Sequence, residues 1–145
     1  NAIAHAHPMY GKTFSTLGKM LDPISQDSCA FYERTAIFAD YDGVANGPDE
    51  GINIAKALGD KDFCILQNHG ILTTGSMVDT ALWYFLNMED ACKSQLIAEA
   101  VGKPKIIPHD TACSTRDYVA NDLSAYVSLQ PTIDVLWEEE PDLLD

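Results

Sequence analysis

The stretch Phe63-Cys64-Ile65-Leu66-Gln67-Asn68-His69-Gly70-Ile71-Leu72-Thr73-Thr74 decides the fold, because two apolar runs flank one polar break. Residues 63–66 form a continuous apolar run, which is typical of a strand covered on both faces. Residues 71–74 resume the pattern with types that favour strands. Gly70 permits a turn between the runs. We therefore predict two adjacent or continuous buried strands with His69 at the break.

A second histidine cluster, His5-Ala6-His7, stands 62 positions before His69. Side chains at i and i+2 of a strand point the same way, so this pair can present two imidazoles on one side of a strand end. A strand running alongside would bring in His69. Three protein nitrogens around an open position form a catalytic zinc site or a related divalent site. Alternatively, each ring is an ordinary surface or core residue.

Strands and helices alternate along the rest of the chain. Short strands are predicted at residues 2–4 and 35–39, and turn chemistry at 40–43. Capping and periodicity predict helices at 9–17, 48–58 and 110–122. They also predict a long helix that Ser76 caps and that runs to Gly102. The apolar face of this long helix is predicted to be Val78, Ala81, Leu82, Phe85, Cys92 and Leu96. Residues 136–145 are expected to be a frayed terminus or a solvated face.

This alternation predicts an α/β architecture, with helices on both sides of a mixed central sheet. The 145 residues are enough to bury one core, so we expect one domain or most of one.

Composition restricts the possible partners. The net charge of −13, with only nine basic residues, argues against nucleic acid and against an anionic membrane. No apolar run approaches the roughly 20 residues of a membrane span, and no secretory signal is visible. The cysteines are widely spaced without a C-x-x-C pair, so we interpret them as buried free thiols rather than disulfides, in a reducing, cytoplasmic compartment. They are Cys29, Cys64, Cys92 and Cys113.

Two motifs resemble those of the class II aldolase/adducin family. They are Ile3-Ala4-His5-Ala6-His7-Pro8 and Leu66-Gln67-Asn68-His69-Gly70-Ile71-Leu72-Thr73-Thr74-Gly75. The helix that follows, with Glu89 and Gln95-Leu96, is also similar to the family pattern, so the resemblance runs from residue 1 to about Gly102. It implies a three-layer α/β/α fold, usually assembled as a homotetramer with active sites near subunit interfaces.

The resemblance also implies a chemistry. His5, His7 and His69 fall on the family positions that bind a divalent metal, usually zinc. Such an ion polarises a carbonyl and stabilises an enediolate. The expected activity is that of a metal-dependent lyase, an aldolase of the fuculose-1-phosphate type that cleaves a ketose phosphate. Metal-dependent decarboxylation or epimerisation of a sugar phosphate or hydroxy acid stays an alternative.

Family members carry a substantial segment before the first histidine motif, with phosphate-binding loops and a glutamate that acts as base. The resemblance therefore implies that the main base lies upstream of residue 1. Residues 1–145 would then be the C-terminal larger part of a single domain.

The position of the acid/base residue departs from the family pattern. In the bacterial aldolases a tyrosine after the first motif donates a proton, and gap-free alignment places Gln26 there. A glutamine cannot donate as a phenol does. The neighbouring Asp27 and Tyr32 are the remaining catalytic candidates, although Asp27 could instead cap a helix and Tyr32 could be a core residue.

The adducin branch of the family offers a non-enzymatic alternative. It keeps the fold, loses the histidines and acts as a binding module. Residues 23–25 and 40–43 are similar to adducin heads. The three histidines favour an enzyme, because a binding module has no need of three metal ligands. The fourth, His109, follows Pro108 at a predicted helix start and is expected to be a surface residue.

Overall fold

The computed structural model describes the backbone of residues 1–40 and 48–144, and the side chains of 1–40 and 50–143. Apart from Asp40, the turn predicted at 40–43 lies outside these residues. The elements, in chain order, are β1 (Ala2–Ala6), α1 (Met9–Ser15), a 3-10 helix (Asp27–Phe31), β2 (Thr35–Phe38), α2 (Pro48–Leu58), β3 (Phe63–Leu66), β4 (Gly70–Gly75), α3 (Val78–Val101), α4 (His109–Val119), α5 (Asp122–Glu139) and a 3-10 helix (Pro141–Leu144).

The four strands form one mixed sheet in the order β1-β4-β3-β2. The β1/β4 and β3/β4 pairs are antiparallel, and the β2/β3 pair is parallel. Phe63 and Ile65 point into a core shared with α1 and α3, whereas Cys64 and Leu66 point into a second core under α2. Helices therefore cover both faces, which confirms the predicted three-layer α/β/α fold.

Strand register decides which loops meet at each end of the sheet. Ala6 pairs with Ile71 and Leu66 pairs with Gly70, so the segments carrying His7 and His69 share one end. Thr35 pairs in parallel with Phe63, so the residues that precede β2 lie at the opposite end.

The buried face of helix α3 agrees with the predicted one in part: Ala81 and Cys92 are buried, and Phe85 and Leu96 pack against the core. Its buried residues are Thr80, Ala81, Tyr84, Met88, Ala91, Cys92 and Gln95, whereas Val78 is 71% exposed. The burial of polar side chains explains the difference. Thr80 Oγ1 donates to Asp122, and the Gln95 amide donates to Asp22 and Glu99. A hydrogen-bonded polar group can be buried at little cost, and hydrophobic periodicity does not reveal it.

The predicted cap of α3 is also wrong. Met77 occupies the N-cap position without a side-chain hydrogen bond. Ser76 Oγ instead donates to Asp122 Oδ2 at 2.6 Å, which ties the start of α3 to the start of α5.

The C-terminal part is more helical than the sequence predicted. Helix α5 continues to Glu139 and contains Pro131. Residues 136–143 are exposed, so of the two alternatives predicted for this segment the solvated face is correct and the frayed terminus is wrong. Within the described part of the chain, no helix combines the length and the hydrophobicity needed to cross a membrane.

A three-histidine candidate metal centre

Three imidazole rings converge at one end of the sheet. The ring centres of His5 and His7 are 5.1 Å apart, those of His5 and His69 5.0 Å, and those of His7 and His69 4.4 Å. One nitrogen from each ring lies within 4.8 Å of the other two. His5 and His7 are exposed and His69 is half-buried. A single ion with an open coordination position would thus be within reach of all three rings.

Local backbone structure places these rings. His5 and His7 alternate with Ala6 and so lie on the same side of β1. His69 ends the β3–β4 turn, in which its N–H donates to the Leu66 carbonyl at 3.0 Å. Asn68 adopts a left-handed conformation in this turn, with φ of 58°. Asparagine tolerates that region better than most residues.

A backbone hydrogen bond orients the first ring. His5 Nδ1 lies 2.9 Å from the carbonyl oxygen of Ile71. A carbonyl oxygen only accepts, so Nδ1 carries the proton and Nε2 keeps its lone pair. This partner fixes both the tautomer and the direction of the ring, as outer-sphere partners do for metal-binding histidines.

The electrostatic setting of His69 favours its neutral form. Burial lowers the pKa of His69, and the neighbouring His7 and His5 lower it further, whereas Glu50 opposes them. A metal ligand must be a neutral imidazole, so the cluster is suited to that state. Glu50 lies in the first turn of α2, and no motif in the sequence marks it as a neighbour of the histidines.

Glu89 connects α3 to the segment that follows the histidine pair. Its carboxylate accepts from the backbone N–H of Tyr10 at 2.9 Å and of Gly11 at 2.5 Å. These N–H groups belong to the first turn of α1, where Pro8 at the N-cap has no side-chain hydrogen bond. Glu89 therefore satisfies donors that would otherwise be unpaired and ties the start of α1 to α3.

The structure does not bring Asp27 and Tyr32 to the three histidines within one chain. Both belong to the segment that leads into β2, at the opposite end of the sheet. Asp27 lines a hollow with Trp83 and Tyr118. The Tyr32 hydroxyl lies 3.2 Å from His109 Nδ1.

The fold and this site define an α/β protein with three converging histidines at one sheet end. The family model for the class II aldolase and adducin N-terminal domain matches residues 1–96. This chain belongs to the class II aldolase/adducin family.

Known proteins similar to the chain have different reported activities. It is 37% identical to decarboxylase NovR of Streptomyces niveus, over 98% of the chain and 53% of that protein. It is 36% identical to a 4-hydroxy-3-prenylphenylpyruvate oxygenase/4-hydroxy-3-prenylbenzoate synthase of Streptomyces roseochromogenus, over 98% of the chain and 51% of that protein. The solved L-fuculose 1-phosphate aldolase from Glaciozyma antarctica superposes with a TM-score of 0.87 and 37% identity, over 97% of this chain and 53% of the other. The chain thus spans about half the length of these proteins.

Proposed function

We propose that this protein is a metal-dependent lyase that breaks a carbon–carbon bond next to a carbonyl group. His5, His7 and His69 would together hold one divalent ion, and we predict zinc. The observation that supports this assignment is the convergence of the three rings, with one nitrogen of each within 4.8 Å of the others.

When bound, the ion would act as a Lewis acid on a substrate oxygen and stabilise the negative charge that develops as the bond breaks. Three neutral imidazoles leave the full charge of the ion available for this role. The Ile71 carbonyl holds His5 so that Nε2 is the free nitrogen. Two of the three rings are exposed, which leaves room for a substrate on the open side.

The first candidate reaction is aldol cleavage of a ketose phosphate of the fuculose-1-phosphate type. Likeness to the Glaciozyma antarctica aldolase along nearly the whole chain supports it, with a TM-score of 0.87. The second candidate is decarboxylation of a hydroxy acid or related acid, which the likeness to decarboxylase NovR supports. Aldol cleavage leaves an electron pair beside a carbonyl, and so does decarboxylation when the acid carries a keto group β to its carboxylate. In both cases the ion would stabilise the resulting enolate.

Asp27 and Tyr32 stay predictions as catalytic residues. Because both lie at the sheet end opposite the histidines, either could act at the metal centre only from another subunit. That requirement agrees with the predicted homotetramer. A non-enzymatic, adducin-like binding function is the remaining alternative, and the converging histidines weigh against it.

The deciding experiment assays the protein together with any sequence that naturally precedes Asn1. Release of aldehyde from fuculose 1-phosphate and release of carbon dioxide from hydroxy acids are measured with zinc, with a chelator and with His69→Ala. We expect one activity that requires metal and is lost in the variant. Equal rates under all three conditions would refute the lyase proposal and favour the binding module.

A further inference from the structure

A second group of metal-binding side chains lies away from the three histidines. It consists of Glu33, just before β2, and His109 and Cys113, which are one turn apart on α4. Cys113 Sγ lies 3.8 Å from Glu33 Oε2 and 3.8 Å from each ring nitrogen of His109. His109 Nδ1 lies 3.8 Å from Glu33 Oε1. One donor atom from each residue lies within 4.8 Å of the others.

We propose that Glu33, His109 and Cys113 form a second, independent binding site for a zinc-type divalent ion. Around a tetrahedral zinc, bond lengths of about 2.0–2.3 Å place neighbouring donor atoms roughly 3.4–3.6 Å apart. The distances from Cys113 Sγ to Glu33 Oε2 and to His109 Nε2, 3.8 Å each, exceed these by only a few tenths of an ångström. Small side-chain rotations would therefore close the site without movement of the backbone.

The donor chemistry selects the ion. One thiolate, one imidazole and one carboxylate suit a borderline-soft cation such as zinc or cobalt, rather than magnesium or calcium, which prefer oxygen. The thiolate and the carboxylate together balance the charge of a divalent ion. Cys113 is also accessible, whereas Cys29, Cys64 and Cys92 are buried.

Tyr32 supports the site as an outer partner. Its hydroxyl lies 3.2 Å from His109 Nδ1, and the two rings meet edge to face. With Nδ1–H donating to the Tyr32 hydroxyl oxygen, Nε2, which is 3.8 Å from the sulfur, keeps its lone pair and is the binding nitrogen. Hydrogen bonds of this kind orient metal-binding histidines.

Arg116 competes with the ion for Glu33. Its Nη1 lies 3.6 Å from Glu33 Oε2, while its Nε donates to Asp117 at 2.9 Å. A bound divalent ion would take the carboxylate and leave Arg116 paired with Asp117. Binding would tie α4 to the segment before β2, at the sheet end opposite His5, His7 and His69.

Cobalt provides a test that distinguishes the two centres, because only this one contains sulfur. The protein, reduced and free of metal, is titrated with cobalt(II) while its near-ultraviolet absorption is recorded. We expect a thiolate-to-cobalt charge-transfer band in the wild type and in His69→Ala, and none in Cys113→Ser. His109→Gln and Glu33→Gln should each weaken the affinity for cobalt by at least about tenfold, because even the loss of a residue that only orients a metal ligand has an effect of that size.

Asp110→Asn is the matched control, since it removes a carboxylate from the first turn of α4 without removing a donor. It should bind cobalt like the wild type. Circular dichroism establishes that each variant is folded. The proposal is overturned if the wild type shows no band, if the band persists in Cys113→Ser, or if neither His109→Gln nor Glu33→Gln weakens it.

Discussion

Gly70 lies so close to Ala6 that a Cβ atom at position 70 would be 2.6 Å from the Ala6 carbonyl oxygen and 3.2 Å from Cδ2 of His7. The absence of a side chain at Gly70 therefore permits the close pairing of β1 with β4, and that pairing brings the histidines of both segments together.

Gly70→Ala should force β1 away from β4 and lower the free energy of unfolding by about 1–3 kcal/mol, as overpacking does. Zinc affinity should fall with it, because His7 would be displaced. Denaturant unfolding and zinc titration measure the two effects.

Gly51→Ala is the control, because Gly51 lies inside α2 and a Cβ atom at position 51 would have no other atom within 4 Å. It should stabilise the protein by about 0.5–1 kcal/mol. Similar results for both variants would contradict the steric argument.

Glu89→Ala should destabilise the protein by about 1–3 kcal/mol, because the N–H groups of Tyr10 and Gly11 lose their acceptor. Glu89→Gln should cost less, since one amide oxygen can still accept. Asp90→Asn, an exposed neighbour on α3, should stay within about 0.5 kcal/mol of the wild type. Chemical denaturation of the three variants checks the order, and a cost for Asp90→Asn equal to that for Glu89→Ala would refute it.

Cys113 should be the first thiol to react with iodoacetamide in the folded, metal-free protein. Burial raises the pKa of Cys64 to about 11 and that of Cys92 to about 12. Burial, followed by the nearby Asp27, also raises the pKa of Cys29. Only a thiolate reacts, so these three should be protected until the chain unfolds. Mass spectrometry after short labelling gives the answer. Cys113→Ser should remove the fast reaction, and rapid labelling of Cys92 would contradict the packing of α3.

The Lys19–Glu99 pair should make stability depend on pH on the acid side. Hydrogen bonds from Lys19 and then from Gln95 hold the pKa of Glu99 below 4.5. Because the pKa of Glu99 is lower in the folded chain than the unfolded value of 4.5, its ionised carboxylate stabilises the fold at pH values above 4.5. This stabilisation is lost as the pH falls through the pKa of the folded state. Lys19→Met should therefore lower the free energy of unfolding near neutral pH by up to about 1 kcal/mol, with the difference shrinking in acid.

Urea unfolding at about pH 7 and at about pH 3 measures this change. Lys61→Met provides the comparison, because the ion pair of Lys61 joins it to the adjacent residue in the chain, the carboxylate of Asp60, at 3.6 Å. A Lys19→Met difference that stays constant with pH would show that the pair has no such role.

The elements predicted best from the sequence are those with local causes. Strand β3 was predicted with its observed bounds, because four successive apolar residues need cover on both faces. Gly59 directly follows α2, and Gly18 lies three residues beyond the end of α1; their φ values are 57° and 61°, a region that favours glycine. By contrast, nothing in the local pattern predicted α5, because Pro131 interrupts it and many of its apolar residues are exposed.

The sequence by itself determined the strands on either side of His69, the shared side of His5 and His7, and the family, because these depend on local spacing and on motifs. Only the tertiary structure decided the rest. Register places Tyr32 and His69 at opposite ends of the sheet, and helix packing brings Glu33 to His109 and Cys113, about 80 positions away in the chain. Such contacts depend on how distant elements pair and pack, and no local pattern of residues encodes that geometry.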